Sequence, residues 1–287
     1  MKKTGLVLEG GGFRGAYTAG ALSWLIDHDI VLDYSVGISS GAAYLCFYYL
    51  GRTDLLKKVT TYYTPQKDVV GFQAFLKEGH YVAYKHLFYD DVIVNEKFDI
   101  QPLIDMNPNM EMGAYDLSQG KTVWFGPKDL DLNLDLVRAS CALPIASAVV
   151  EIDGHRLLDG GITKMIPIER ALEVGCEKCL VITTKPKDYV RKPASPIIKW
   201  LMKVNYRDCP QMAKDYEVRH LNYYDQINII KDLEEKGDAI FMYPTETIPV
   251  SRFKGSEEDS IRLYDLGYQD MENRKEEIFA FLEDAHA

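Results

Sequence analysis

The order of apolar and polar positions predicts alternating strands and helices at the start of the chain. Residues 4–9 form a short apolar run that ends in glycines, which indicates a buried strand followed by a tight turn. Residues 14–28 then show helical periodicity, a second apolar run follows at 34–37, and a strongly apolar helix is predicted over 41–50. Such close alternation predicts an α/β fold with a parallel-rich central sheet sandwiched by helices.

The rest of the chain predicts a larger sheet and a helical tail. Residues 52–120 are rich in Tyr, His, Asp and Asn without clear periodicity, so we expect an irregular insertion of helices and loops. The later patterns predict a strand at 123–125, a helix at 131–141, a hairpin over 151–158, a helix at 168–174 and strands at 180–183 and 240–243. Residues 256–282 have the pattern of one amphipathic acidic helix. We therefore expect a catalytic domain over residues 1–250 and a C-terminal helical extension over 251–287 that packs on it.

Charge and hydropathy exclude two classes of protein. A formal net charge of −10 on 287 residues argues against a general nucleic-acid binder, which needs a broad basic face. The longest apolar run, residues 44–50, is far shorter than the roughly 20 residues that span a bilayer. We expect neither a nucleic-acid partner nor a transmembrane segment.

The cysteines favour a reducing compartment. All five lack the spacing of a disulfide framework, so free thiols in a cytoplasmic protein are expected. Cys176 and Cys179 are close enough for a metal or redox pair, but no second ligand pair follows and Cys179 begins a buried strand. No metal and no cofactor are predicted.

The first candidate motif is a glycine run between the first strand and the first helix, Gly10-Gly11-Gly12-Phe13-Arg14-Gly15. Its spacing satisfies the dinucleotide-binding fingerprint, in which a helix N-terminus holds a pyrophosphate. It equally suits a loop whose backbone N–H groups hold an oxyanion. Arg14 either braces this loop, adds positive charge or lies on the surface. The run alone leaves both interpretations open.

The second motif, Gly37-Ile38-Ser39-Ser40-Gly41, follows the second strand and opens the second helix. This is the context of a nucleophile elbow, where a sharp strand-to-helix turn exposes a serine hydroxyl. Gly37 and Gly41 flank the serine because a side chain there would clash in so tight a turn. A dinucleotide fold would place an acidic residue at the end of this strand, where the chain has Ser39. The motif therefore favours a hydrolase.

The third motif, Asp159-Gly160-Gly161, comes directly after a short apolar run. An Asp-Gly pair is ordinarily a hairpin connector. Held within hydrogen-bond reach of a serine, its carboxylate would serve as a general base.

The three motifs together resemble the patatin-like phospholipases of bacterial type. The resemblance runs through LVLEGGGFRGAYTAGAL, GISSG and RASCALPIASAVVEIDGHRLLDGGI, in that order, and covers about residues 4–185. It implies an α/β sandwich that hydrolyses the carboxylic ester bonds of lipids as a phospholipase A, a lysophospholipase or a non-specific lipid esterase. It assigns Ser39 as nucleophile, Asp159 as base and residues 10–15 as the oxyanion loop. The family's loop often begins with Asp where this chain has Glu9.

The resemblance implies a mechanism without histidine. Asp159 would take the Ser39 proton directly, and the N–H groups of Gly11, Gly12 and Phe13 would hold the oxyanion. In an α/β hydrolase a histidine would follow the acid late in the chain, and only His220 and His286 follow Asp159. The histidine nearest in sequence, His155, is best explained as an exposed hairpin residue.

A basic segment suggests how an acidic protein could meet a lipid surface. Residues 185–207 carry seven basic residues and one acidic residue, with apolar side chains at near-helical spacing in the second half. This pattern is typical of an interfacial helix, although an ordinary helix that packs its apolar face on the core has the same pattern. We expect a lipid or ester substrate, with peripheral membrane contact through 185–207 as the open alternative.

Overall fold

One mixed β-sheet forms the centre of the computed structural model, which describes residues 1–286. Its strands are β1 (Thr4–Leu8), β2 (Tyr34–Ile38), β3 (Met110–Asp116), β4 (Lys121–Phe125), β5 (Val150–Ile152), β6 (His155–Asp159), β7 (Lys178–Ile182) and β8 (Ala239–Met242). The order across the sheet is β5-β6-β3-β2-β1-β7-β8, and β4 also pairs with β3. The five strands β3, β2, β1, β7 and β8 are neighbours in the sheet and run parallel to one another. Strands β4, β5 and β6 add antiparallel pairs. The predicted α/β class with a parallel-rich sheet is confirmed.

Helices cover both faces of this sheet. They are α1 (Gly15–Asp27), α2 (Ser40–Tyr49), α3 (Thr53–Lys58), α4 (Phe72–Glu78), α5 (Gln101–Met106), α6 (Asp135–Cys141), α7 (Ile168–Glu173), α8 (Pro196–Asn205), α9 (Pro210–Glu235), α10 (Glu257–Asn273) and α11 (Lys275–His286). Because side chains alternate along a strand, Leu6 and Leu8 of β1 pack with α1 and α2, whereas Val7 packs with α7 and α9. A strand buried on both faces reads as the continuous apolar run seen in the sequence. No helix within residues 1–286 is long and apolar enough to cross a membrane.

Two sequence predictions about element boundaries were wrong. The segment 52–120 is not wholly an insertion of helices and loops, because its last part forms β3, the strand between β2 and β6. The rest does contain short helices, with π-helical turns at Val59–Tyr63 and His86–Asn95. The predicted single helix over 256–282 is broken at Arg274, whose φ of −109° and ψ of 18° end α10 before α11 begins.

The first tail helix packs closely on the first helix of the sheet layer. A Cβ atom added at Gly20 of α1 would lie 1.9 Å from the Tyr264 carbonyl oxygen, and one at Gly267 of α10 would lie 2.1 Å from the Tyr17 carbonyl oxygen. The two backbones therefore touch where each helix has a glycine. The division of the chain at residue 250 stays a prediction.

Candidate active site

Ser39 occupies the sharp turn between β2 and α2. It has φ 56° and ψ −127°, a conformation that an ordinary residue adopts only when its surroundings impose it. A Cβ atom at Gly37 would lie 2.6 Å from the Gly41 carbonyl carbon, and one at Gly41 would lie 2.8 Å from the Leu8 Cβ. The turn thus closes only with glycine on both sides of Ser39, and it presses α2 against the end of β1.

Asp159 lies at the same level of the sheet as Ser39, two strands away. Ile38 pairs with Gly113 on β3, and the next β3 residue, Ala114, pairs with Asp159 on β6. The intervening strand leaves room there because Gly113 has no side chain. Both Ser39 and Asp159 line one small polar cavity. Sheet register therefore brings the second and third sequence motifs together.

The surroundings of Asp159 act on its pKa in opposite directions. Burial raises the pKa of this carboxyl above its ordinary value. The Arg219 guanidinium, the Gly161 N–H group and the Ser39 hydroxyl each favour the ionised form and so limit the rise in that pKa. The Gly161 N–H donates to Asp159 Oδ1 at 2.7 Å, which fixes the carboxylate on its own turn.

The glycine run forms a short 3₁₀ turn beside the elbow, with α1 starting at Gly15. Two of the three N–H groups expected to hold an oxyanion already have acceptors: the Gly11 N–H donates to the Ser40 hydroxyl at 2.9 Å and the Phe13 N–H to the Arg252 carbonyl at 3.3 Å. Gly12 has φ 59°, lines the same polar cavity, and its N–H has no acceptor within residues 1–286.

The loop that covers the glycine run is itself tied down by Arg14. The Arg14 Nε donates to the Val250 carbonyl at 3.1 Å, and its guanidinium lies over the Tyr189 ring. Gly10 approaches from the other side, where its N–H donates to the Met165 carbonyl at 3.2 Å. Arg14 therefore braces the loop that follows β8 against the glycine run.

Glu9 anchors the start of the glycine run to the end of β7. Its fully buried carboxylate accepts hydrogen bonds from the Thr184 N–H at 2.7 Å and the Thr184 hydroxyl at 2.9 Å, and it forms an ion pair with Lys185. Burial lowers the pKa of Lys185 to about 7, although Glu9 opposes that shift. Glu9 stands where the family that the motifs resemble often has Asp, and this anchor engages both of its carboxylate oxygens.

Two cavities of opposite character meet at Ser39. One is mostly apolar and is lined by Val59, Val69, Val82, Leu87 and Phe88. The other is the polar cavity that holds Asp159 and Gly161. An ester whose carbonyl carbon reaches Ser39 could therefore place an apolar chain on one side and polar groups on the other.

Comparison with known proteins decides the family. A family model described as patatin-like phospholipase matches residues 6–172, more than half of the chain. The chain belongs to the patatin-like phospholipase family. This membership confirms the predicted enzyme class, a lipid acyl hydrolase, and decides against the dinucleotide interpretation of the glycine run. A second family model, a domain of unknown function named DUF6363, matches residues 209–283.

Individual relatives are more distant. The Escherichia coli protein YjjU, itself uncharacterized, is 28% identical over 255 residues, which are 85% of this chain and 69% of that protein. The NTE family protein Rv1063c of Mycobacterium tuberculosis is 37% identical over 70 residues, 24% of this chain and 19% of that protein. The solved structure of VipD from Legionella pneumophila aligns with a TM-score of 0.48 and 12% identity over 95% of this chain and 66% of that one.

None of the histidine side chains that the structure describes lines either cavity of this patatin-like site. The His155 ring instead bonds Asp116 through Nδ1 at 2.6 Å. His220 lies on α9, where its buried Nδ1 has no partner in the described chain. The side chain of His286 lies outside the described atoms.

The site contains further residues to which the sequence analysis gave no role. Ser140 accepts the Ser39 N–H, and Ser40 accepts the Gly11 N–H. Arg219 and Arg252 line the polar cavity from α9 and from the loop after β8. Ser140 lies in a stretch that carries the family resemblance, whereas no local pattern marks either arginine.

Proposed function

We propose that this protein hydrolyses carboxylic ester bonds of lipids with a Ser39–Asp159 dyad through an acyl-enzyme, as a phospholipase A, a lysophospholipase or a non-specific lipid esterase. The observation that carries the proposal is the position of Asp159. Its buried carboxylate shares a cavity with Ser39 and is the acidic group that adjoins the strained serine in that cavity. Family membership supports the same chemistry.

The reaction follows from this arrangement. Asp159 accepts the Ser39 proton as Oγ attacks the ester carbonyl carbon, and the raised pKa of the carboxyl makes it a better proton acceptor than an exposed aspartate. The proton then passes to the departing alcohol, which leaves an acyl-Ser39 ester. A water molecule that gives its proton to Asp159 attacks this ester and releases the acid. Ser39 finally recovers the proton.

The glycine run supplies the electrostatic part of the proposal. Developing negative charge on the carbonyl oxygen would meet the Gly12 N–H, which has no acceptor within residues 1–286 and belongs to a residue that lines the cavity. The Phe13 N–H would join it once the Arg252 carbonyl moves away, since that carbonyl now takes the place of a substrate oxygen. Residues 10–15 thus remain our proposed oxyanion loop, with Gly12 as its first donor.

The acyl chain would lie in the apolar cavity. This would give the 52–109 segment a functional role, because most of the apolar side chains that line the cavity come from it, among them Val59, Val69, Val82 and Leu87. Acyl chains would gain roughly 0.8 kcal/mol for each CH₂ group buried there.

Peripheral membrane contact remains part of the proposal, on a surface wider than 185–207. On α8 the side chains of Ile197 and Trp200 are 71% and 60% exposed, and on α4 those of Phe72 and Leu76 are 73% and 69% exposed. Large apolar side chains left in water on two helices fit insertion into a lipid surface. The basic character is reduced, because Lys185 is buried against Glu9.

Both helices adjoin the same loop at the site. The Val82 N–H, just after α4, donates to the Ala146 carbonyl at 2.9 Å, and the hydroxyl of Tyr206, just after α8, accepts the Ile145 N–H at 3.1 Å. The same loop contains Leu143, which lines the polar cavity. A lipid surface that contacts α4 and α8 would therefore lie close to the catalytic centre.

Covalent labelling tests the dyad. A fluorophosphonate should label the wild type at Ser39, as read by peptide mass spectrometry, and Ser39→Ala should abolish both labelling and ester hydrolysis. Asp159→Asn should lower kcat/KM by at least about a thousandfold, because removing one member of a catalytic unit is nearly as damaging to activity as removing all of its members. His155→Ala serves as the control and should retain activity. Near-wild-type turnover in Asp159→Asn would overturn the dyad.

A further inference from the structure

Two arginines from the C-terminal part of the chain enter the catalytic cavity. Arg219 comes from α9 and Arg252 from the loop between β8 and α10, and both line the polar cavity together with Ser39 and Asp159. Both lie outside the segment that matches the patatin-like family and inside the 209–283 segment. The patatin-like part of the chain thus contains the proposed dyad, and the following part adds positive charge beside it.

This positive charge is only partly offset within the protein, by the electrostatic interaction of Arg219 with Asp159 and by the Tyr216 ring under its guanidinium. No carboxylate oxygen within residues 1–286 lies within 4 Å of a guanidinium nitrogen of Arg219 or Arg252. The Arg219 side chain bonds the Gly161 carbonyl through Nε alone, although the residue is only 8% exposed. Its terminal nitrogens make no hydrogen bond to the described chain, and the residue lines the cavity.

Burial of a guanidinium without a close ion-pair partner is costly to folding. Burial lowers the pKa of Arg219 to about 9, and repulsion from Arg252 and Arg191 adds to that effect, whereas Tyr216 and Asp159 oppose it. Burial also lowers the pKa of Arg191, and repulsion from Arg252 adds to that effect. Three arginines therefore lie near one another, although the chain has a net charge of −10. An anionic ligand that enters the cavity would remove the cost.

We propose that Arg219 and Arg252 form a subsite for an anionic group of the substrate, a phosphate or a comparable headgroup held next to the scissile ester. The proposal rests on the proposed function, because it requires Ser39 as the nucleophile. Guanidinium groups suit this task, since their paired donors match the oxygens of a phosphate. The acyl chain would extend into the apolar cavity while the headgroup contacts the two arginines.

Matched substrates test the subsite. We would measure kcat/KM for a short 1-acyl-glycerol 3-phosphate and for the 1-acyl-glycerol with the same chain, both below their micellar concentrations. The wild type should prefer the phosphorylated ester. Arg252→Gln should lower the ratio of the two kcat/KM values by about ten- to hundredfold, the usual effect of losing a charged hydrogen-bond donor. Arg252→Lys should restore part of it.

Further variants distinguish the loss of positive charge in the cavity from a loss of folding. Arg262→Gln removes an exposed arginine of α10 and should leave the ratio unchanged. Arg219→Lys and Arg219→Gln repeat the comparison at the buried position, with circular dichroism to verify folding. Inorganic phosphate should inhibit hydrolysis of the uncharged ester by the wild type and do so more weakly in Arg252→Gln.

The outcomes distinguish the subsite from the dyad. An unchanged ratio in Arg252→Gln, with both esters still hydrolysed and Ser39→Ala inactive, would overturn the subsite and leave the dyad intact. Inhibition by inorganic phosphate without any preference for the phosphorylated ester would show a site for the free anion and would also overturn the headgroup proposal. Absence of turnover and of Ser39 labelling would overturn the proposed function itself. Phosphate binding to Ser39→Ala, measured by thermal shift with and without Arg252→Gln, gives a readout that needs no turnover.

Discussion

The backbone N–H of Ser39 donates to the hydroxyl of Ser140 at 3.0 Å, and that hydroxyl donates in turn to the Gly113 carbonyl at 2.7 Å. One buried side chain on α6 thus connects the elbow of β2 to the middle of β3. Since Gly113 lies beside the register pair that brings Asp159 to this level, Ser140 fixes the spacing between the proposed nucleophile and base.

Ser140→Ala should lower both the free energy of unfolding and the catalytic rate. The change leaves the buried Ser39 N–H without its acceptor, which costs about 1–3 kcal/mol of the free energy of unfolding. We expect kcat to fall as well, because the strained turn loses the bond that holds it. Urea unfolding and steady-state kinetics with a soluble ester measure the two effects.

Ser260→Ala is the matched control. The Ser260 hydroxyl is equally buried but has no hydrogen-bond partner in the described chain, so its removal should be neutral or stabilising. Equal losses in the two variants would mean that the Ser140 hydroxyl acts only by filling space.

The pH dependence of kcat/KM should report the Asp159 carboxyl. Activity requires its ionised form, and burial raises its pKa, so the acid limb should lie above the range of an ordinary aspartate. Arg219 favours the ionised carboxylate, and removing that positive charge raises the pKa further. In Arg219→Gln, assayed with an uncharged ester, activity should therefore be lost at a higher pH than in the wild type. An acid limb that stays in place, as expected for Arg262→Gln, would contradict the electrostatic role of Arg219.

The contact between α1 and α10 should tolerate no added methyl group. In Gly267→Ala the new Cβ would lie 2.1 Å from the Tyr17 carbonyl oxygen, so the helices must separate. Overpacking of this kind costs about 1–3 kcal/mol, more than the ~1 kcal/mol that alanine gains over glycine in a helix. Gly126→Ala, whose Cβ would meet nothing nearer than 3.8 Å, should leave the urea midpoint nearly unchanged. A Gly267→Ala protein as stable as wild type would mean that α10 packs differently.

Those parts of the site that depend on local backbone geometry could be predicted from the sequence. Ser39 has φ 56°, and a Cβ atom added at either flanking glycine would lie within 3 Å of a neighbouring atom. These constraints restrict the residue types at the three positions, so the restriction is visible in the sequence as a motif. The turn after β6 is marked in the same way by Asp159 and the two glycines that follow. For these elements local propensity and tertiary structure agree.

The remaining parts depend on tertiary packing that no local pattern records. In β3 the apolar alternation is interrupted by Glu111, whose carboxylate forms an ion pair with Arg170 at 2.7 Å, and by Gly113. In α9 the buried stripe includes Arg219 and Gln226, so the apolar period that would mark a packed helix is concealed. The break at Arg274 is hidden for the opposite reason, because apolar positions continue on both sides of it.

Membrane binding should depend on the exposed apolar side chains of α8 and α4. Replacing both Ile197 and Trp200 with serine should weaken co-sedimentation with anionic vesicles at least about tenfold, because burying one large apolar side chain is worth about 1.5–3 kcal/mol. The pair Phe72→Ser and Leu76→Ser should act in the same direction, since both helices adjoin the loop that contains Leu143.

Charge and position supply the controls for this last prediction. Reversal of Lys192 and Lys203 to glutamate should reduce binding to anionic vesicles at low salt and have less effect on neutral vesicles, because surface attraction is screened by salt. Val31 is 67% exposed but precedes β2, at the end of the sheet opposite Ser39, so Val31→Ser should bind as the wild type does. If the α8 and α4 variants also bind as the wild type does, or if neither the wild type nor any variant binds, the proposed membrane contact of these helices is wrong. If only the variants near Ser39 lose binding, the lipid surface lies over the catalytic cavities, which is where an acyl chain must leave the bilayer to be cleaved.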